Sequence, residues 1–268
     1  MIIELSDFFN NPSLIEIGWL RIQYYAVTWV LSAIFIFQYL KSDRIIKELQ
    51  LTTEQVNDIV FLYGLIFGAM LGGRFGYMFF YGLDQLVSNP LSLFFIWEGG
   101  LSFHGGLIGV IVSLYFYSYQ HKISFLRLAD SICAAMPIGL GLVRIGNFLN
   151  GELYGRPTDG TWGFIFPTDP YGFTRHPSQL YEAVCEGLVL FILLIFISAK
   201  SNKHGVISGS FLLAYGLIRF FIEYFRQPDS HMGFVALQLS MGQLLSIPMV
   251  IIGLILLTKS LRQNETVS

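Results

Sequence analysis

The sequence predicts an all-α integral membrane protein, a bundle of about seven transmembrane helices with the N-terminus outside and the C-terminus in the cytoplasm. Three observations carry that expectation. Hydrophobic residues fill 54% of the 268 positions and charged residues only 13%, where soluble domains average roughly a quarter charged. Mean hydropathy is +0.60, and the apolar residues gather in runs close to the ~20 residues that cross a hydrocarbon core. Lys and Arg fall mostly on one side of those runs, which orients them.

In chain order the runs are 19–40, 57–81, 104–120, 128–149, 179–199, 205–225 and 237–258. Before the first, residues 1–18 carry Glu4, Asp7 and Glu16. A cleaved signal peptide starts basic and turns apolar, so this segment reads as a retained arm at the outer membrane surface. The second run places Gly64, Gly68, Gly72 and Gly76 four apart, a glycine face that admits a neighbouring helix closely. The third is short, and the fourth and sixth contain charge. After runs one, three, five and seven stand Lys41, Arg44, Lys47, Lys122, Arg127, Lys200, Lys203, Lys259 and Arg262; the opposite connections hold only Arg156, Arg175 and Arg226. The loop 150–178 therefore faces outward. No repeat or linker divides residues 1–268, which read as a single polytopic domain.

Several classes are excluded. A formal net charge of −2 with no basic face gives nucleic acid nothing to bind. Cys133 and Cys185 lie in apolar runs as small fillers, and no Cys/His metal spacing occurs.

Ionisable groups inside membrane segments are costly and mark function by default. Arg74, in LGGRFGY, closes the second run, where it can snorkel to the interface, pair with a helix terminus or bind a ligand. On the sixth, Tyr215, Arg219, Glu223 and Arg226 share an arc of about 80°. Two arginines against one glutamate leave positive charge to attract an anion. GLVRIGNFLNGELYGR, residues 141–156, carries Arg144 and Asn147 on one helical face; Asn150-Gly151 then breaks the helix, and Glu152, Gly155 and Arg156 follow. His104, in WEGGLSFHGGLIG, opens the third run among glycines that let a ligand approach backbone N–H groups, and a histidine can exchange protons near neutral pH. Tyr24 and Tyr25, and RHPSQLYE at 175–182, can line the same outer space. The ligand implied is an anion with an apolar body, for which a phospholipid headgroup is the natural candidate.

At these residues the sequence closely resembles the prolipoprotein diacylglyceryl transferase family. GLVRIGNFLNGELYGR is similar to that family's signature, typically G-R-x-G-N-F-x-N-G-E-x-x-G-R, and SFHGGL, GGRFGY, RHPSQLYE and RFFIEYFRQPD resemble further family blocks. The one departure, Val143 beside Arg144, replaces no polar group. The resemblance implies an enzyme of the bacterial cytoplasmic (inner) membrane with its site toward the outer leaflet. It would transfer the diacylglyceryl group of phosphatidylglycerol to the lipobox cysteine of prolipoprotein signal peptides, forming a thioether and releasing glycerol 1-phosphate. No metal or organic cofactor is implied. The catalytic residues would be His104, Arg144 and Arg219. Substrate contacts would come from Arg74, Tyr25, Asn147, Asn150, Glu152, Gly155, Arg156, Tyr215, Glu223 and Arg226.

The chemistry matches those residue types. A free thiol, with pKa about 8.5, is only a few per cent thiolate at neutral pH, so a base or a positive field helps it attack. The departing phosphate gains charge that positioned arginines stabilise. On this reading Arg144 and Arg219 clamp the phosphate, Asn147 and Tyr25 place the headgroup, and Glu152 and Glu223 orient the arginines. His104 is the base or thiol-orienting group, or else holds the lipid phosphate. Two competing readings remain from the residues alone: an anion-handling membrane transporter, which would want polar lining toward both sides, and another phospholipid-headgroup transferase.

Overall fold

The computed structural model describes residues 2–4, 13–17, 20–96, 99–160, 162–228, 234–236 and 238–262. Each of the seven expected apolar runs contains a helix, and two short helices, α2 and α4, lie between them: α1 Tyr24–Leu40, α2 Asp43–Leu49, α3 Thr53–Phe80, α4 Leu83–Ser88, α5 Phe103–Gln120, α6 Phe125–Leu149, α7 Ser178–Ser198, α8 Val206–Ile222 and α9 Met241–Arg262. Four of them, α3, α6, α7 and α9, are long and apolar enough to cross a membrane by length and composition. The apolar helices α1 and α8 are shorter, at 17 residues each. The helical class therefore holds. The seven-span count is a finer reading than these lengths carry.

Short strands add what an all-α expectation leaves out. Strand β1 (Ile2–Glu4) runs parallel to β4 (Gly163–Ile165), which pairs antiparallel with β5 (Thr174–Arg175). Strands β2 (Ser13–Ile17) and β3 (Leu20–Gln23) form a hairpin, as do β6 (Phe234–Ala236) and β7 (Leu239–Ser240). The first run thus begins as strand through Gln23 and turns helical at Tyr24. Of the expected arm 1–18, the two strands are described; residues 1, 5–12 and 18 lie outside the described residues, as do Trp97 and Glu98 of the WEGG stretch and Asp229 of RFFIEYFRQPD.

The chain forms two compact units. In one, Phe37–Ala129, α3 begins at a reciprocal cap: Gln55 N donates to Thr52 Oγ1 at 3.2 Å and Thr52 N to Gln55 Oε1 at 2.8 Å. Helices α3 and α5 cross on glycines. A Cβ on Gly72 would stand 2.7 Å from the Gly109 Cα, and one on Gly76 the same distance from the Gly105 Cα. Gly68 meets Val110 in the same way, whereas Gly64 meets only its own helix at Ile59. Three of the four spaced glycines thus build the crossing.

The other unit combines residues up to Ile36 with Asp130–Ser268. Helices α6 and α7 touch at Gly141 and Gly187, where a Cβ on either would come within 3.1 Å of the other's Cα. Gly146, further along α6, rests on α1 at the Tyr25 Cα and the Thr28 side chain. At the opposite end of α6 the buried Asp130 accepts from Gly205 N (2.6 Å), Ser208 N (2.7 Å) and Ser208 Oγ (2.6 Å), capping the N-terminus of α8.

The segment 150–178 has a core of its own. Phe164 and Phe166 are buried against Phe148, Tyr154 and Leu180, with Phe148 edge-on to Phe164 at 5.3 Å and Tyr154 stacked on Phe166 at 5.3 Å. Buried Arg175 ties this segment together: it donates to Asp169 through Nε (2.7 Å) and Nη2 (2.9 Å), reaches Gln227 Oε1, and lies 4.7 Å over the Tyr154 ring. Burial pushes the Asp169 pKa up. Hydrogen bonds from Arg175 and from Tyr171 and Phe173 N–H outweigh it and hold the carboxyl below its ordinary range. A depressed folded pKa means the ionised carboxylate stabilises fully above the ordinary value near 4 and that this contribution is lost as pH falls through the lower folded value. Asp169→Asn is expected to cost about 3–5 kcal/mol at pH 7, because Arg175 is left buried without its counter-charge, and to flatten the acid limb. Unfolding midpoints in detergent across pH 3 to 7 check this; a neutral-pH midpoint equal to wild type would refute it.

Candidate active site

The polar residues of the second described unit converge where α6, α7 and α8 approach. The glycine contact between α6 and α7 brings Arg144 Nε to 2.6 Å from Glu182 Oε2 and 3.8 Å from Glu186 Oε2. From α8, Arg219 Nη1 lies 3.4 Å from Glu182 Oε1 and 3.7 Å from Glu186 Oε1, while its Nη2 pairs with Glu223 Oε2 at 2.7 Å. Arg226 Nη1 reaches Glu182 Oε1 at 3.2 Å. Glu182 therefore faces three guanidinium groups, and both Glu182 and Glu186 are wholly buried. Within Ala183–Val189 the helix widens into i→i+5 turns, a departure often met at functional positions.

This corrects the charge inventory drawn from sequence. The inferred excess of arginine over glutamate on α8 is absorbed by Glu182 and Glu186. Three guanidiniums meet three carboxylates, so the buried cluster is close to neutral when all are ionised. The sequence placed RHPSQLYE, which ends at Glu182, beside the site but gave neither glutamate a role; Glu186 lies four residues on, on the same helical face, and its partners come from other helices. Of the three arginines Arg144 keeps the most exposed side chain, at 18% against 13% for Arg219 and 10% for Arg226.

The signature segment wraps this cluster. Helix α6 ends with Glu152 N bonded to the Asn147 carbonyl at 3.0 Å, and Gly151 and Leu153 turn through positive φ of 65° and 59°. Asn147, buried, donates Nδ2 to Glu152 Oε1 at 3.0 Å; Glu152 thus holds an amide rather than an arginine. Asn150 is half-buried and its Oδ1 has no donor. Gly155 sits between two backbones, donating N–H to the His176 carbonyl at 2.9 Å, and a Cβ there would stand 2.5 Å from that oxygen and 2.6 Å from the Phe225 carbonyl. Arg156 donates Nε to the Arg226 carbonyl at 2.9 Å and Nη2 to the Glu223 carbonyl at 3.4 Å, so it caps the carbonyl end of α8. Gly155 and Arg156 thereby fix the site's frame.

Tyr25 is half-buried with its backbone against Gly146 and its ring edge-on to Trp29 at 6.1 Å. Tyr215, one turn before Arg219, is half-buried and stacks on Phe211 at 5.6 Å. Glu223 lies against Gly242 in the first turn of α9, where a Cβ would come 2.7 Å from its carboxylate; a helix N-terminus favours that charge.

His104 and Arg74 belong to the Phe37–Ala129 unit. His104 is exposed in the first turn of α5, its ring 5.8 Å from Phe103. Gly105 beside it serves the α3–α5 crossing rather than opening backbone to a ligand. Arg74 is buried and donates to the Ser92 carbonyl (2.7 Å from Nη2) and the Gly99 carbonyl, so its guanidinium is engaged in holding the chain between α4 and α5.

A family model described as prolipoprotein diacylglyceryl transferase matches residues 12–259. A protein of Geobacter sulfurreducens named phosphatidylglycerol–prolipoprotein diacylglyceryl transferase is 47% identical over 244 residues, covering 91% of this chain and 93% of the relative. Proteins of the same name from Idiomarina loihiensis and Aliivibrio fischeri are each 45% identical, covering 96% and 95% of this chain and 95% and 91% of their own lengths. With the match running through every element of the site, the chain belongs to the prolipoprotein diacylglyceryl transferase family.

Proposed function

We propose that this protein transfers the diacylglyceryl group of phosphatidylglycerol to the cysteine thiol of a prolipoprotein signal peptide. The cysteine sulfur attacks the glycerol CH2 carbon, the C–O bond to phosphate breaks, and glycerol 1-phosphate leaves; the thiol proton passes to a base or to the departing phosphate. The observation that carries this reading is Arg144, whose Nε lies 2.6 Å from the buried Glu182 carboxylate on which Arg219 and Arg226 also converge. A guanidinium held in place by a buried carboxylate is preorganised to receive a phosphate. Arg219, between Glu182 and Glu223, is the second clamp, and Asn147 and Tyr25 place the headgroup. Glu182 orients Arg144, a role the sequence had suggested for Glu152. His104, exposed in the first turn of α5, is the base or thiol-orienting group, or else holds the lipid phosphate. The chain lies in the inner membrane with seven spans, N-terminus outside, and its site toward the outer leaflet, a reading supported by the nine-to-three asymmetry of Lys and Arg.

The test uses purified protein in liposomes with phosphatidylglycerol and a lipobox peptide. Mass spectrometry is expected to find the diacylglyceryl adduct on the peptide cysteine, with matching release of glycerol 1-phosphate. The same yield is expected from a Cys133→Ser/Cys185→Ser double variant, because both thiols are unpaired side chains of α6 and α7 and the nucleophile arrives with the peptide. Neither product from folded protein would reject the reaction.

A further inference from the structure

Two buried side-chain amides have one end engaged and the other unspent. Asn147 Nδ2 donates to Glu152 Oε1 at 3.0 Å, and Gln179 Nε2 donates to the Glu152 carbonyl at 2.8 Å. Both partners only accept, so each amide is fixed with its nitrogen on Glu152 and its oxygen turned elsewhere. Asn147 is 3% and Gln179 1% exposed, yet Asn147 Oδ1 and Gln179 Oε1 receive no donor. Asn150 Oδ1, one turn on, is in the same condition. Buried acceptors left unmet are costly and call for an explanation.

The seam between α6 and α7 shows what stands beside them. The contacts step in opposite directions along the two helices: Gly141 with Gly187, then Arg144 with Glu182, then Asn147 and Gln179 joined through Glu152. Each amide is three residues beyond the ion pair, a rise of about 4.5 Å. A phosphate held at Arg144 would therefore have both amides within about one helical turn of it, in reach of its next substituent. A phosphate has no proton to give them, and an acyl chain has none either. A primary ammonium does donate, but burying its charge against neutral amides beside a guanidinium is costly. Hydroxyl groups meet the need without charge.

We propose that Gln179, together with Asn147, accepts hydrogen bonds from the hydroxyls of a polyol headgroup and so selects a polyol phosphodiester lipid over one with the same phosphate and an apolar headgroup. The inference rests on the transferase reading and deepens it by assigning a headgroup-selecting residue.

The test compares phosphatidylglycerol with phosphatidylpropanol of the same acyl chains, which keeps the phosphodiester and lacks both headgroup hydroxyls. Lipid competition for the detergent-solubilised protein is read by native mass spectrometry, and thioether formation on a lipobox peptide is read in parallel. Wild type is expected to favour phosphatidylglycerol by roughly 10- to 100-fold, the cost of leaving such acceptors unmet, and Gln179→Met to bring the ratio toward parity. Wild type binding both lipids alike, or Gln179→Met keeping the full preference, overturns the proposal. If Gln179→Met does not fold, the wild-type comparison decides alone. Discrimination without thioether formation would remove the transferase reading and keep the polyol subsite; thioether formation without discrimination would do the reverse.

Discussion

Arg144→Ala is expected to lower turnover about 10²–10³-fold at saturating phosphatidylglycerol, the loss typical of removing one donor that stabilises developing charge. The geometry gives a reason to expect this in kcat. Arg144 is held by the buried Glu182 and Glu186, and on the proposed reaction its guanidinium gains most when the phosphate becomes a leaving group. An interaction made chiefly in the transition state lowers kcat and kcat/KM together. Arg144→Lys should rescue little, because a single ammonium cannot hold Glu182 and offer a two-pronged face to phosphate at once. Steady-state kinetics on both variants check the prediction. A near-normal kcat for Arg144→Ala with only KM raised would assign Arg144 to ground-state binding.

Glu182→Ala is expected to be the most destabilising single change in the cluster, at about 3–5 kcal/mol, since it strips a fully buried carboxylate from three guanidiniums. Arg144, Arg219 and Arg226 approach it at 2.6, 3.4 and 3.2 Å. Glu186, at 3.8 and 3.7 Å from two of them, can compensate only in part. Glu182→Gln should lose less, keeping one oxygen for Arg144 while presenting an amide nitrogen to another guanidinium. Unfolding in detergent, followed by tryptophan fluorescence, measures both. A Glu182→Ala midpoint equal to wild type would show that the arginines do not depend on this carboxylate.

Hydropathy and residue spacing were enough to locate the long apolar helices, though not the short α2 and α4, because lipid selects runs of a fixed length and each run is written contiguously. The α8 stripe was legible for a related reason: Arg219 and Glu223 are four residues apart, and helical periodicity puts them on one face, where they pair at 2.7 Å. Arg144 and Asn147 were legible as polar groups in an apolar setting. Their partners were not. Glu182 is 38 positions from Arg144 along the chain and reaches it only because Gly141 and Gly187 let two helices touch. The fold of 150–178 was hidden likewise, since its strands are two or three residues long and one of them pairs with Ile2–Glu4 from the far end of the chain.

The sequence by itself determined the helical membrane class, the places of the apolar helices and the polar residues that cannot be left in lipid, because each is a local property of composition or periodicity. Only the tertiary structure decided which charges meet. It turned an apparent surplus of arginine into a balanced cluster around Glu182, assigned Arg156 and Arg175 to holding the frame, and left the Asn147 and Gln179 oxygens unmet. Ion pairs and hydrogen bonds act over a few ångströms, and the chain brings such groups together from distant positions only when its helices pack.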